Sequence, residues 1–292
     1  MSKALKEFIF SHVILSACLL GIFFMSALVI FASLVIGVPQ DGLPPGAVDL
    51  AIFTLAQLVL TGFILMLMKK IDVFETQDYK VKRIGRGFLI GWVGIVIPIS
   101  VFFINFTQYD SNSFIKPELV TLIVTALHPF LGTGLFEEVL FRGLILKLLL
   151  VKLGCSKKGI IQAAFISSII FGIVHIVNYI VGAAHLLPTL TQVIFASAGG
   201  VFYAAIYLRT RNLLIPIFMH GLFNIAGQIF GAVICRDVLL INAQARGDVS
   251  IVNSLIVVLT IGLPKLIAGI VLLRKVKPEE KTDDVVSGVI HE

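Results

Sequence analysis

Of the chain's 292 residues 58% are hydrophobic and 14% charged, and its mean hydropathy is +1.03. Soluble domains carry about a quarter charged residues and could not hide so much apolar surface, so a soluble protein is excluded and a multi-pass protein with lipid as its solvent is left. The net charge of +6 does not call for a nucleic-acid partner, because Lys and Arg stand in short clusters at the ends of apolar runs, where membrane topology accounts for them.

Charges avoid stretches of at least about 18 residues, the length that crosses a hydrocarbon core roughly 30 Å thick. Eight such segments follow in chain order, at roughly 9–37, 48–68, 88–106, 119–150, 160–182, 188–208, 213–234 and 250–273. The first follows Lys3 and Lys6, is about twice as long as a signal-peptide core and reads as a retained anchor. The fourth is too long for one straight crossing and is expected to tilt or to continue as a surface helix.

Alternate loops differ in basic charge. One set holds Lys69, Lys70, Lys80, Lys82, Arg83 and Arg86, then Lys152, Lys157 and Lys158, then Arg209 and Arg211, then Arg274, Lys275 and Lys277; the other holds only Lys116, Arg236 and Arg246. Basic loops stay on the cytoplasmic side. The expected fold is therefore an all-α polytopic transmembrane helical bundle of about eight spans with both termini cytoplasmic. It forms one transmembrane domain over 1–278, with a motif-bearing core at about 119–235, and a polar tail over 279–292. Cys18, Cys155 and Cys235 are scattered and suggest neither a disulfide framework nor a thiolate metal site. With no organelle address in the chain, a bacterial plasma membrane is the expected setting.

Against this background the polar residues inside spans stand out. An ionisable side chain at the centre of a span costs about 2.5–3.5 kcal/mol on insertion scales, yet the segment LFEEVLFRGLI carries Glu137, Glu138 and Arg142. On a helix Glu138 and Arg142 are i and i+4 with the acid nearer the N-terminus, the better order for an ion pair. Glu137 points about 100° away and keeps its carboxylate for chemistry.

Span five supplies FGIVH, stacking Phe171 and His175, and span seven supplies HGLFN, stacking His220 and Asn224. Taken singly these are ordinary interior residues: a satisfied histidine, a packed phenylalanine, an asparagine bonding between helices. Depth joins them. Glu137 and His175 lie about 20–25 Å from the basic face, His220 and Asn224 roughly 14–20 Å, so three spans offer polar groups at comparable depth. His128, beside Pro129, reads as a partner in a local helix distortion, and Asn178 as interhelical glue.

In order and spacing, EEVLFR, FGIVH and HGLFN resemble the EExxxR, FxxxH and HxxxN motifs of the CPBP family of intramembrane proteases, which includes the type II CAAX prenyl endopeptidases and bacteriocin-processing and immunity relatives. The resemblance covers about residues 119–235 and implies a glutamate-dependent endopeptidase acting on a membrane-associated peptide or protein, lipidated CAAX-like ends included. In that scheme Glu137 with His175 activates a water, His220 with Asn224 stabilises the oxyanion, and Glu138, Arg142 and Phe171 support them. No cofactor is expected. Two imidazoles and a carboxylate would also suffice for a catalytic zinc, held by Glu137, His175 and His220, and zinc stays the alternative although no HExxH occurs.

Two rival functions use the same residues. A proton-coupled transporter would employ the buried acid and histidines as a relay, although the paired broken helices of inverted-repeat transporters are not apparent. A non-catalytic immunity or scaffold protein would keep the fold without the chemistry.

Overall fold

The computed structural model describes residues 3–35, 47–80, 84–107, 118–154, 156–182, 184–229 and 250–277. The expected tail over 279–292 and the outer-loop residues Lys116, Arg236 and Arg246 lie outside them, as do Cys155 and Cys235. Among the described residues every regular element is helical, as such an apolar chain requires, since lipid offers no partner for a free backbone group.

In chain order the helices are α1 (Lys3–Ser11), α2 (Val13–Val35), α3 (Ala47–Lys70), α4 (Ile84–Ile90), α5 (Val93–Thr107), α6 (Leu119–Leu153), α7 (Lys157–Ile180), α8 (Leu186–Thr210), α9 (Leu214–Ile229) and α10 (Ile251–Arg274). Six are long and apolar enough to cross a bilayer: α2, α3, α6, α7, α8 and α10. The chain is thus an integral multi-pass membrane protein.

One of the eight expected crossings takes a different form. The third is the pair α4 and α5, bent by 69°; it is the one broken helix pair among the described residues. The seventh is α9, of which the 16 residues Leu214–Ile229 are described. By length and composition the described residues give six spans, or seven with the bent pair, against eight expected. The fourth segment crosses as one helix of 35 residues, accommodated by two π-helical turns within it.

At the centre stands α8, buried continuously from Ala198 to Leu208. It packs along α7 on one side and α10 on the other. Its approach to α7 depends on small residues: a Cβ on Gly172 would collide with Ser197 Oγ and lie 2.6 Å from the Val193 carbonyl oxygen, and one on Gly200 would lie 2.8 Å from Ser168 Cβ. Without a hydrophobic drive between helices in lipid, such close backbone approach is a main source of association. Gly172→Val is expected to cost about 1–3 kcal/mol, the usual penalty of overpacking, read as a lower thermal midpoint in detergent.

The basic-loop face is tied together by charge. Lys147, near the end of α6, reaches Asp78 Oδ2 at 2.5 Å, the Val73 carbonyl at 3.0 Å and Glu75 at 3.4 Å, while the Tyr207 hydroxyl of α8 donates to Asp78 Oδ1 at 3.1 Å. Burial pushes the Asp78 carboxyl above its ordinary range against the pull of Lys147. For Glu75 burial acts in the same sense, but the Gln77 amide and the Lys147 ammonium outweigh it and hold that carboxyl low. Lys157, at the start of α7, donates to the carbonyls of Leu273, Arg274 and Val276 at 2.8, 2.6 and 2.9 Å, satisfying the open C-terminus of α10. These ties hold α6, α7, α8 and α10 in fixed register, and the candidate site lies between them.

Candidate active site

The two glutamates sit on a four-residue α-helical step, Leu135–Glu138, between the π turns His128–Gly134 and Val139–Ile145. A π turn departs from the regular i→i−4 ladder and is found most often at functional positions. His128, expected to accompany a distortion, lies in the first of them, bridging Thr54 at 2.8 Å and Thr133 at 3.1 Å. Asn178, expected as glue, donates to Gln192 of α8 at 3.0 Å.

Opposite this step α9 comes unusually close. A Cβ on Gly134 would lie 3.0 Å from the Ile217 carbonyl oxygen, and one on Gly221 would collide with the Phe130 ring. Two glycines facing across the contact let α9 seat His220 against the glutamates.

Glu138, with 0% exposure, accepts at Oε1 from Arg142 Nη1 and from His220 Nδ1, each at 2.9 Å. The ion pair expected from the i, i+4 spacing is present. Arg142 also donates to the Gly200 carbonyl at 3.2 Å, and its guanidinium lies over the Phe171 ring at 4.6 Å and the Tyr203 ring at 5.6 Å. A planar, delocalised cation is suited to such a sandwich.

His220 spans both acids, with Nδ1 on Glu138 and Nε2 3.6 Å from Glu137 Oε2. A carboxylate only accepts hydrogen bonds, so Nδ1 carries the hydrogen that meets Glu138. Nε2 then faces Glu137, and their approach is attractive when one proton resides on either atom. Tyr203 stacks on the imidazole with ring centroids 5.1 Å apart and planes at 18°, fixing its orientation.

His175 is oriented by its own helix. The chain tightens to a 3₁₀ turn over Val174–Ile176, and the Nδ1–H of His175 donates to the Phe171 carbonyl at 2.8 Å. In the neutral ring this leaves Nε2 bare, able to accept. The Phe171 ring meets both histidines edge-on, at 5.1 Å from His175 and 5.9 Å from His220.

Six of the seven residues singled out in the sequence therefore form one connected cluster: Glu137, Glu138, Arg142, Phe171, His175 and His220. Two details differ from expectation. The imidazole next to Glu137 is His220, with no ion pair or hydrogen bond between Glu137 and His175. Asn224, half-buried one turn beyond His220, makes no side-chain hydrogen bond among the described residues.

Residues 119–226 match the family described as type II CAAX prenyl endopeptidase Rce1-like. The match supports CPBP family membership for this core. No curated protein and no solved structure matches the chain. The CPBP family is one of CAAX-type intramembrane proteases, whose substrates are peptides or proteins at a membrane, and the matched stretch holds every residue of the cluster.

Around the cluster stand residues that sequence reading passed over. Tyr203, stacked on His220, carried no signal in a helix rich in aromatic and aliphatic residues. Lys265 of α10, 2% exposed, places Nζ 3.4 Å from the Tyr203 hydroxyl and 3.5 Å above the Phe223 ring. It had a signal, the same one that exposed the glutamates: a charge in mid-span. Among the described residues no group of three His, Cys, Asp or Glu is arranged to hold a metal ion. An Nδ1 held by a carbonyl or carboxylate oxygen, as in His175 and His220, is also the usual state of a zinc-bound histidine, so zinc at Glu137, His175 and His220 stays the alternative.

Proposed function

We propose that the chain is a metal-free intramembrane endopeptidase in which Glu137 is the general base for an attacking water, on a membrane-associated peptide such as a prenylated C-terminus. The observation that carries this reading is the division of labour between the two acids. Glu138 is occupied by Arg142 and His220, whereas among the described residues Glu137 meets only a histidine nitrogen, at 3.6 Å.

In this reading Glu137 takes a proton from water as the oxygen attacks the scissile carbonyl carbon, and bare His175 Nε2 accepts the other water hydrogen in a hydrogen bond. The oxyanion that forms is met by the N–H of His220 Nε2 and by the Asn224 amide, whose hydrogen-bonding groups are uncommitted among the described residues. A single oxyanion donor of this kind is worth about 3–4 kcal/mol of barrier. As the C–N bond breaks, Glu137 returns its proton to the leaving amine.

Hydrolysis is the test. Purified protein in liposomes, incubated with a farnesylated CAAX-like peptide in ¹⁸O-water, is expected to release a shortened lipopeptide whose new carboxylate carries the label, and EDTA is expected to leave the rate unchanged. Loss of activity in EDTA that zinc restores would replace the metal-free mechanism. Solute uptake that follows a proton gradient, with no peptide cleaved, would replace the peptidase by a transporter.

A further inference from the structure

Three cations are buried among the described residues: Arg142, Lys147 and Lys265. Arg142 is paired with Glu138, and Lys147 with Asp78. Lys265 has no carboxylate in ion-pair reach among the described residues; its neighbours are the Tyr203 hydroxyl at 3.4 Å, the Phe223 ring at 3.5 Å and the Tyr203 ring at 5.4 Å. A hydroxyl and two aromatic faces offset part of the cost of placing an ammonium in hydrocarbon. They leave it short of a counter-ion in contact.

Its position relates it to the cluster. Lys265 stands nine residues before Arg274, and His220 nine after Arg211, so both lie about 14 Å of helix in from the same basic face. The Tyr203 ring that supports His220 also carries Lys265, and Phe223, under the ammonium, immediately precedes Asn224. A few extended residues at about 3.3 Å each bridge the interval from the Glu137–His220 pair to Lys265.

Resting on the peptidase reading above, we propose that Lys265 is the residue that binds the free C-terminal carboxylate of the substrate. A peptide brings two kinds of anion, side-chain carboxylates and its C-terminus, and only the second is present in every sequence. A chain end also enters hydrocarbon at lower cost than an internal segment, which must bury polar backbone on both flanks. The paired carboxylate completes the coordination that Tyr203 begins and sets which peptide bond lies over Glu137.

The alternative is that Lys265 acts only as a distant counter-charge to the two glutamates. That role favours acid and amide peptides equally, so the two separate in binding. A fluorescein-labelled farnesylated heptapeptide is titrated, as free acid and as C-terminal amide, against the Glu137→Gln protein in nanodiscs, where turnover does not intervene. The acid is expected to bind at least tenfold more tightly, with the preference lost in Glu137→Gln/Lys265→Met and kept in part in Glu137→Gln/Lys265→Arg. Equal binding of the two peptides with Lys265 present, including no measurable binding of either, overturns the proposal without recourse to any Lys265 variant. Cleavage by the protein with Glu137 intact is scored separately. If neither peptide is cut while the acid is still preferred, the peptidase reading fails and the carboxylate site stands.

Discussion

Arg142→Met is expected to destabilise the folded protein by about 3–5 kcal/mol, the usual cost of removing one partner from a buried ion pair. The guanidinium is 1% exposed and its partner Glu138 0%, so no solvent replaces the lost donor. More is removed than one ion pair, because Arg142 also joins α6 to α8 through the Gly200 carbonyl and fills the space between the Phe171 and Tyr203 rings. Adding Glu138→Gln to Arg142→Met takes away the stranded charge and is expected to restore part of the loss, as a double-mutant cycle would reveal. Unfolding titrations in mixed micelles read both effects. A single variant within about 1 kcal/mol of the parent would mean that Glu138 is not charged in the folded state. Activity is expected to fall as well, since Glu138 also anchors His220.

How much of this site could be read in the sequence depended on whether the relevant distance ran along one helix or between two. Glu138 and Arg142 are separated by four residues of one helix, and their pairing followed from spacing alone, even though Arg142 lies within a π turn. The grouping of Glu137, His175 and His220 at one depth followed from counting residues to the basic loops. Which imidazole meets which acid did not follow, because it is set by the lateral approach of α9, and that approach rests on Gly134 and Gly221, residues whose role appears only when two helices are placed together. The 69° bend between α4 and α5 was hidden for a related reason: hydropathy measures how apolar a stretch is and is insensitive to where a helix bends. Lys265 was legible by the mid-span rule, whereas Lys147, near the end of α6, was not. Asp78, fully buried in a short 3₁₀ turn that looked like an ordinary loop, gave no such sign.

Glu137→Gln is expected to lower the cleavage rate by about 10²–10⁴-fold, the range attributed to a single general base, while the fold is kept. Glutamine preserves the size of the side chain and removes its ability to take up a proton, so the change isolates chemistry from packing. Stability is expected to change little, because Glu137 contributes no short hydrogen bond: its nearest partner is His220 Nε2 at 3.6 Å. Glu138→Gln provides the contrast. It leaves Arg142 without an anion and weakens the acceptor that orients His220 Nδ1, so it is expected to lower the unfolding midpoint as well as the rate. The decisive measurement is therefore a pair of readings on each variant, a single-turnover cleavage rate and an unfolding midpoint. Glu137→Gln with a full rate would remove it as the base. Equal losses of stability in both variants would show that the two carboxylates act as one structural unit, and the division of labour proposed from their hydrogen bonds would fail. Rate loss without stability loss in Glu137→Gln, against loss of both in Glu138→Gln, is the pattern expected of the shared histidine, since its Nδ1 is held by Glu138 while its Nε2 lies 3.6 Å from Glu137.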